Sequence, residues 1–182
     1  MGRLLSLSHV FVIGALVMMP LRAFAAHRCD LSDQRIPESL KLQLRSAYPT
    51  WQIVQLEDLR DADQRIWRKE RPSCPVGFAR GHFVSPATES FAISLIRKTS
   101  NSGRTTYQQI LLAAESDGDK YKIIPVIPPP GATSVLWVIW KTNLEEDSPL
   151  RMIDTIVVEV IEGGSVGFTW KNGAFVKKQL SE

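Results

Sequence analysis

Histidine and cysteine are both scarce in this 182-residue chain, which has three of the first (His9, His27 and His82) and two of the second, Cys29 and Cys74. A Cys- or His-rich metal centre needs companion ligands at close spacing, and that supply is missing. Acidic residues are absent before Asp30, and residues 4–19 carry no Lys, Arg, Asp or Glu. No glycine loop for phosphate and no dinucleotide fingerprint occurs. No metal and no cofactor is therefore expected.

What the first residues do contain is an order of parts. Met1-Gly2-Arg3 is positive, the uncharged run follows, Pro20 breaks it, and Ala23-Phe24-Ala25 offers small residues to a signal peptidase. These are the parts of a secretory leader, and the apolar run is slightly short for a membrane span. Residues 1–25 read as a signal peptide and 26–182 as one exported domain, periplasmic or secreted, with no membrane anchor after cleavage. Cys29 follows Ala26-His27-Arg28, which is unlike a lipoprotein signal.

Cleavage alters the charge argument. The chain has 22 Lys and Arg against 19 Asp and Glu, and the leader holds Arg3 and Arg22 with no acid. The mature balance is 20 against 19, so no nucleic-acid partner is expected, since that requires clustered positive charge. The remaining 157 residues suit one domain with a core of its own. In an oxidising compartment Cys29 and Cys74 are expected to pair, closing a loop worth about 4 kcal/mol by the chain-entropy model.

Ile36, Leu40, Leu44 and Ala47 recur at helical spacing, with Pro37 suited to a first turn and Tyr48-Pro49 to a stop. A short strand is expected at 51–54. A second helix follows, capped by Asp58, with Leu59, Ala62 and Ile66 on its buried face. Beyond Cys74 the period shortens: Phe91, Ile93 and Leu95 alternate with Ala92 and Ser94. Further strand-rich runs cover 107–114, 121–127, 135–140 and 152–160. Turns fall at Asn101-Ser102-Gly103, Asp117-Gly118, Pro128-Pro129-Pro130-Gly131 and Gly163-Gly164. Asn172-Gly173 predicts a type I′ hairpin with Trp170 opposite Phe175. The expected class is α+β: two N-terminal helices, then a mostly antiparallel β-sheet ending in a C-terminal hairpin.

Two motifs read as ordinary turns. Gly163-Gly164-Ser165-Val166-Gly167 has the letters of a nucleophile elbow, but a strand rather than a helix follows the serine, and no histidine comes later. Glu115-Ser116-Asp117-Gly118-Asp119 lacks the later glutamate of a calcium loop and reads as a solvated hairpin turn. The acidic run Glu145-Glu146-Asp147 reads as a solvated loop.

The segment Cys74-Pro75-Val76-Gly77-Phe78-Ala79-Arg80-Gly81-His82-Phe83, followed by Ser90-Phe91-Ala92-Ile93-Ser94-Leu95, resembles small exported bacterial proteins with a degenerate FG-GAP/VCBS-like unit. In that pattern a CPG corner and a GDF turn precede an aromatic-Ala strand, and intact loops bind calcium through alternating aspartates. The matching positions here are His82, Val84, Pro86 and Ser90. The resemblance thus implies a strand–loop–strand corner without calcium, and His82 reads as structural. A second stretch, Asn101-Ser102-Gly103-Arg104-Thr105-Thr106-Tyr107, is similar to the Ser-Gly loop of exported C-type lysozyme inhibitors, with the tyrosine one residue out of place.

The reading that results is an exported, non-enzymatic binding domain acting on a protein or cell-envelope partner. Its candidate binding residues are Ser102 and Arg104, on a loop between two patterned strands. Two alternatives stand beside it. One is an inhibitor or immunity protein against a wall hydrolase or secreted effector. The other is a carboxylate-based hydrolase with an acid pair among Glu57, Asp58, Asp61, Glu89, Asp154 and Glu159. A cleft holding paired carboxylates would favour the hydrolase, and a protruding loop the inhibitor.

Overall fold

Pro37, with φ −55°, leads into helix α1 (Glu38–Ala47), and the Tyr48 N–H closes it on the Leu44 carbonyl. The computed structural model describes residues 35–101, 104–128, 135–142 and 153–181. The expected leader, Cys29, Ser102 and residues 145–147 lie outside them. Strand β1 (Gln52–Ile53) follows α1, then a 3-10 turn (Leu56–Asp58) and helix α2 (Asp61–Glu70). Asp58 is not the cap of α2. Its carboxylate accepts from the Gln55 N–H and pairs with Lys98 at 2.6 Å. The buried residues of α2 are Asp63 and Trp67, while Ala62 is exposed. Asp63 is accommodated by a two-point bond from Arg60, whose guanidinium is held above its ordinary pKa by that carboxylate.

The first sheet holds β2 (Phe78–Ser85), β3 (Thr88–Asn101), β4 (Arg104–Asp117) and β5 (Lys120–Ile127), with β1 on the β3 edge. The second is β6 (Val138–Thr142), β7 (Thr155–Glu159), β8 (Ser165–Lys171) and β9 (Ala174–Ser181), in chain order and antiparallel throughout. The expected α+β arrangement of two N-terminal helices over one sheet is therefore wrong. The described chain is mostly β, in two sheets, and the helices do not form one N-terminal layer. Strand β1 separates them, and they serve different cores.

The reason lies in β3 and β4. Residues 90–96 and 109–114 are buried at every position, not at alternate ones. Ala92 and Ser94, which look like the solvent face of an alternating strand, are both fully buried. A strand buried on both faces needs a layer on each side. On one side Leu40 and Leu44 of α1 cover Phe91, Ile93, Leu95, Ile110 and Leu112. On the other, Ile139, Ile156, Val158 and Phe168 of the second sheet cover Phe83, Ala92, Leu111 and Ala113. Trp67 of α2 joins a third cluster with Val54, Ile96, Val138 and Ile161.

Three polar side chains finish the sheet edges by bonding backbone groups in pairs. Gln43 of α1 donates to the Tyr121 carbonyl (2.6 Å) and accepts its N–H (3.0 Å), closing part of the β5 edge. Asp154 accepts the His82 N–H and donates its own N–H to the His82 carbonyl, both at 2.9 Å. A Cβ at Gly81 would lie 2.5 Å from Asp154 Oδ2, so a larger residue there would displace that carboxylate. Gln109, fully buried, accepts the Trp137 N–H (3.1 Å) and donates to the Trp137 carbonyl (2.7 Å) and Ser94 Oγ (2.9 Å). Its amide thus stands where a strand partner would, joining the first sheet to the segment that enters β6.

The final hairpin forms as its turn signal requires. Asn172 and Gly173 have φ of 51° and 85°, as a type I′ turn demands, and Trp170 meets Phe175 edge-to-face at 4.9 Å. Glu115 and Asp117 oppose Lys122 and Lys120 across the β4–β5 turn.

Truncating Gln109 to alanine orphans a backbone N–H, a carbonyl and the Ser94 hydroxyl. We expect Gln109→Ala to lower unfolding free energy by about 2–4 kcal/mol in urea denaturation. A loss below about 0.5 kcal/mol would mean that the amide does not join the sheets.

Candidate functional site: a projecting ribbon and an arginine–tryptophan stack

Strands β3 and β4 continue pairing after their burial stops. Five residue pairs, from Arg97↔Gln108 to Asn101↔Arg104, extend past the β1 partners Leu95 and Ile96 and past Leu111, which is paired with the end of β5. No other strand flanks them among the described residues. At about 3.4 Å per residue they form a two-stranded ribbon roughly 15 Å long. Its base is anchored where Tyr107 packs on the third cluster and Lys98 reaches Asp58. Farther out the ribbon is hydroxyl-rich. Ser100 Oγ and Thr105 Oγ1 are 3.3 Å apart, and Thr106 Oγ1 donates to the Thr99 carbonyl. Such β-branched pairs favour a twisted two-stranded extension.

The candidate residues Ser102 and Arg104 belong to the end of this ribbon. Ser102 lies outside the described residues, and Arg104 is placed only by its backbone register opposite Asn101. No free cysteine occurs among the described residues, and the expected partner of Cys74, Cys29, lies outside them.

Of the six acids considered for hydrolysis, four have local partners. Asp58 is held by Lys98 and the Gln55 N–H, Glu89 by Arg80, Asp154 by the His82 N–H, and Glu159 by Arg71 and Trp140. Glu57 and Asp61 are exposed. His82 is exposed on β2, and its backbone, rather than its ring, engages Asp154. Ser90, at one of the FG-GAP-like positions, is buried. Its hydroxyl accepts the Phe83 N–H and donates to the Gly81 carbonyl, bridging a bulge in β2. The strand–loop–strand corner is accordingly a hairpin in which Ser85 pairs with Thr88. Ser165 begins β8, and its hydroxyl meets that of Ser181 at 2.8 Å.

Sequence reading missed one constellation. The Arg71 guanidinium sits 4.4 Å from the Trp140 ring centre and 5.2 Å from that of Trp67. Glu159 completes it, accepting from Trp140 Nε1 (2.8 Å) and from Arg71 (3.4 Å), while Trp67 Nε1 donates to the Cys74 carbonyl. The spacing of Trp67 and Arg71, one turn apart at the end of α2, was visible, but Trp140 and Glu159 come from the other sheet. Their convergence braces α2 against β6 and β7 beside Cys74. Buried cation–aromatic contacts of this kind are worth on the order of 1–2 kcal/mol.

No family model, no curated protein and no solved structure matches the chain. Its architecture defines it as a two-sheet antiparallel β-domain with one helix packed on the outer face of the first sheet. Among the described residues, no helix is long and apolar enough to cross a membrane.

Arg71 is mostly buried, and Glu159 is the carboxylate that meets its guanidinium from the second sheet. We expect Glu159→Gln, which keeps an acceptor for Trp140, to cost about 1–2 kcal/mol in chemical denaturation. An unchanged midpoint would show that the pair contributes no more than an exposed one.

Proposed function

We propose that the chain is an exported binding domain that presents the β3–β4 ribbon to a protein or cell-envelope partner. The observation that carries this reading is the ribbon itself: five strand pairs that leave the core and have no described strand beside them. Residues 97–100 are exposed, although the same strand is fully buried one residue earlier. A rigid scaffold that extends a polar strand pair into solvent suits recognition, because the scaffold supplies the positioning. An inhibitor or immunity protein against a wall hydrolase or secreted effector is the narrower form of this reading, and the protruding shape favours it. The hydrolase alternative finds less support, since Asp58, Glu89, Asp154 and Glu159 are each engaged by a local cation or N–H.

Export and the pairing of Cys29 with Cys74 belong to the same proposal. Protein recovered from the periplasm is expected to begin near Ala26 and to yield a Cys29–Cys74 peptide on non-reducing mapping. Cys74→Ala is expected to lower stability by about 2–5 kcal/mol. Full-length chain in washed membranes would overturn export, and two free thiols would overturn the pairing.

The binding reading is tested by affinity capture on the mature chain, followed by titration of the captured partner against Ser102→Ala and Arg104→Ala. Loss of about 2 kcal/mol or more with unchanged melting would place contact at the ribbon end. Wild-type affinity in both variants, and in one whose ribbon is shortened by two pairs, would remove the ribbon from the site.

A further inference from the structure

Beside the ribbon base, α1 and β1 leave a cleft over the first sheet. Its base is formed by the half-buried Ile53 and by the nearly covered Leu44 and Leu95, and Trp51 and Gln52 form one wall. Lys41 and Arg45, one turn apart on α1, form the other. Arg97, the first exposed residue of the ribbon, stands 5.3 Å from the Trp51 ring centre. Its Nε donates to Gln108 Oε1 at 3.0 Å, and one terminal nitrogen shares that acceptor. The guanidinium is thus held in place by an indole and an amide, neither of which offsets its charge.

Three arginines of the domain set a contrast. Arg60, Arg71 and Arg80 are paired with Asp63, Glu159 and Glu89. Arg45 and Arg97 have no carboxylate within ion-pair distance among the described residues. Lys41 is offset by Glu38 at 2.6 Å, and that bond keeps the Glu38 carboxyl below its ordinary pKa. Two guanidinium groups without a carboxylate in ion-pair contact therefore flank the cleft, Arg45 on its wall and Arg97 against the Trp51 indole. Desolvating them against carboxylates, while an apolar side chain covers Leu44 and Leu95, satisfies both halves of the site. A glycan would leave that aliphatic floor without a match, so the chemistry favours a peptide.

We infer that this cleft docks an acidic protein segment, with an apolar side chain on the Leu44–Leu95 floor and flanking carboxylates on Arg45 and Arg97. The inference rests on the binding reading and supplies the chemistry of the partner. It also extends the contact surface from the ribbon down onto the body of the domain.

The test uses the mature, oxidised protein and a labelled twelve-residue peptide rich in glutamate with a central leucine pair. Fluorescence anisotropy is expected to show saturable binding, weakened roughly tenfold by Arg45→Glu and by Arg97→Glu. Gln52→Glu, an exposed substitution on the cleft wall, is expected to weaken it too, with melting unchanged. Replacing the glutamates of the peptide by glutamine, or its leucines by serine, is expected to abolish binding. The inference is overturned if the peptide fails to bind at millimolar concentration, if the charge reversals have no effect, or if polygalacturonate binds more tightly than the peptide. Ser102→Ala and Arg104→Ala leave peptide affinity unchanged, so a captured partner that depends on them while the peptide fails would preserve the binding reading and remove only this cleft.

Discussion

Strands β3 and β4 bury both faces over residues 90–96 and 109–114, and the remaining architecture answers that constraint. The aromatic and large aliphatic residues on one face require α1. The other face, with Ala92, Leu111 and Ala113, is covered by the second sheet. Burial brings a polar problem with it, because Ser94 and Gln109 lie inside the layer that forms. The Gln109 amide meets it by bonding both the Ser94 hydroxyl and the Trp137 backbone. A buried polar group with all its partners in place specifies one arrangement, since any sliding of the sheets would orphan several groups at once.

The same device recurs at the edges. Gln43 on Tyr121 and Asp154 on His82 each present a donor and an acceptor to one residue's backbone, as a neighbouring strand would. Open edges invite pairing with other chains, and covering them with side chains limits that hazard. Asp154 thereby serves as an edge partner, and Gly81 leaves room for its carboxylate. The Trp67–Arg71–Trp140–Glu159 stack fastens α2 to the second sheet, next to Cys74.

Where two-sided burial stops, the ribbon starts. Ile96 is fully buried and Arg97 is exposed, so the boundary between scaffold and projection falls within one peptide unit. Arg97 marks that boundary by turning its guanidinium over Trp51 and toward Gln108. The candidate loop at 101–106 thus belongs to a longer element, and the cleft below it shares a residue with its base. Recognition by ribbon and cleft together would bring a hydroxyl-rich contact and a cationic one onto one continuous surface.

Local signals in the sequence determined the local elements. Pro37 and Tyr48-Pro49 bound α1, Asn172-Gly173 set the last hairpin, and Asp117-Gly118 the turn between β4 and β5. Each depends on backbone preferences within a few residues. The proposed leader rests on residue order alone and lies outside the described structure. Layering was not legible, because Ala92 and Ser94 look the same in an alternating strand with one wet face as in a strand covered on both sides. Asp58 looked like a helix cap because its reach to Lys98, forty residues away, leaves no local mark. The Arg71 stack and the Arg45–Arg97 cleft were hidden for the same reason. Charge, aromatic character and exposure can be read at each position, but whether an arginine has a carboxylate beside it is decided only when separate strands and helices pack.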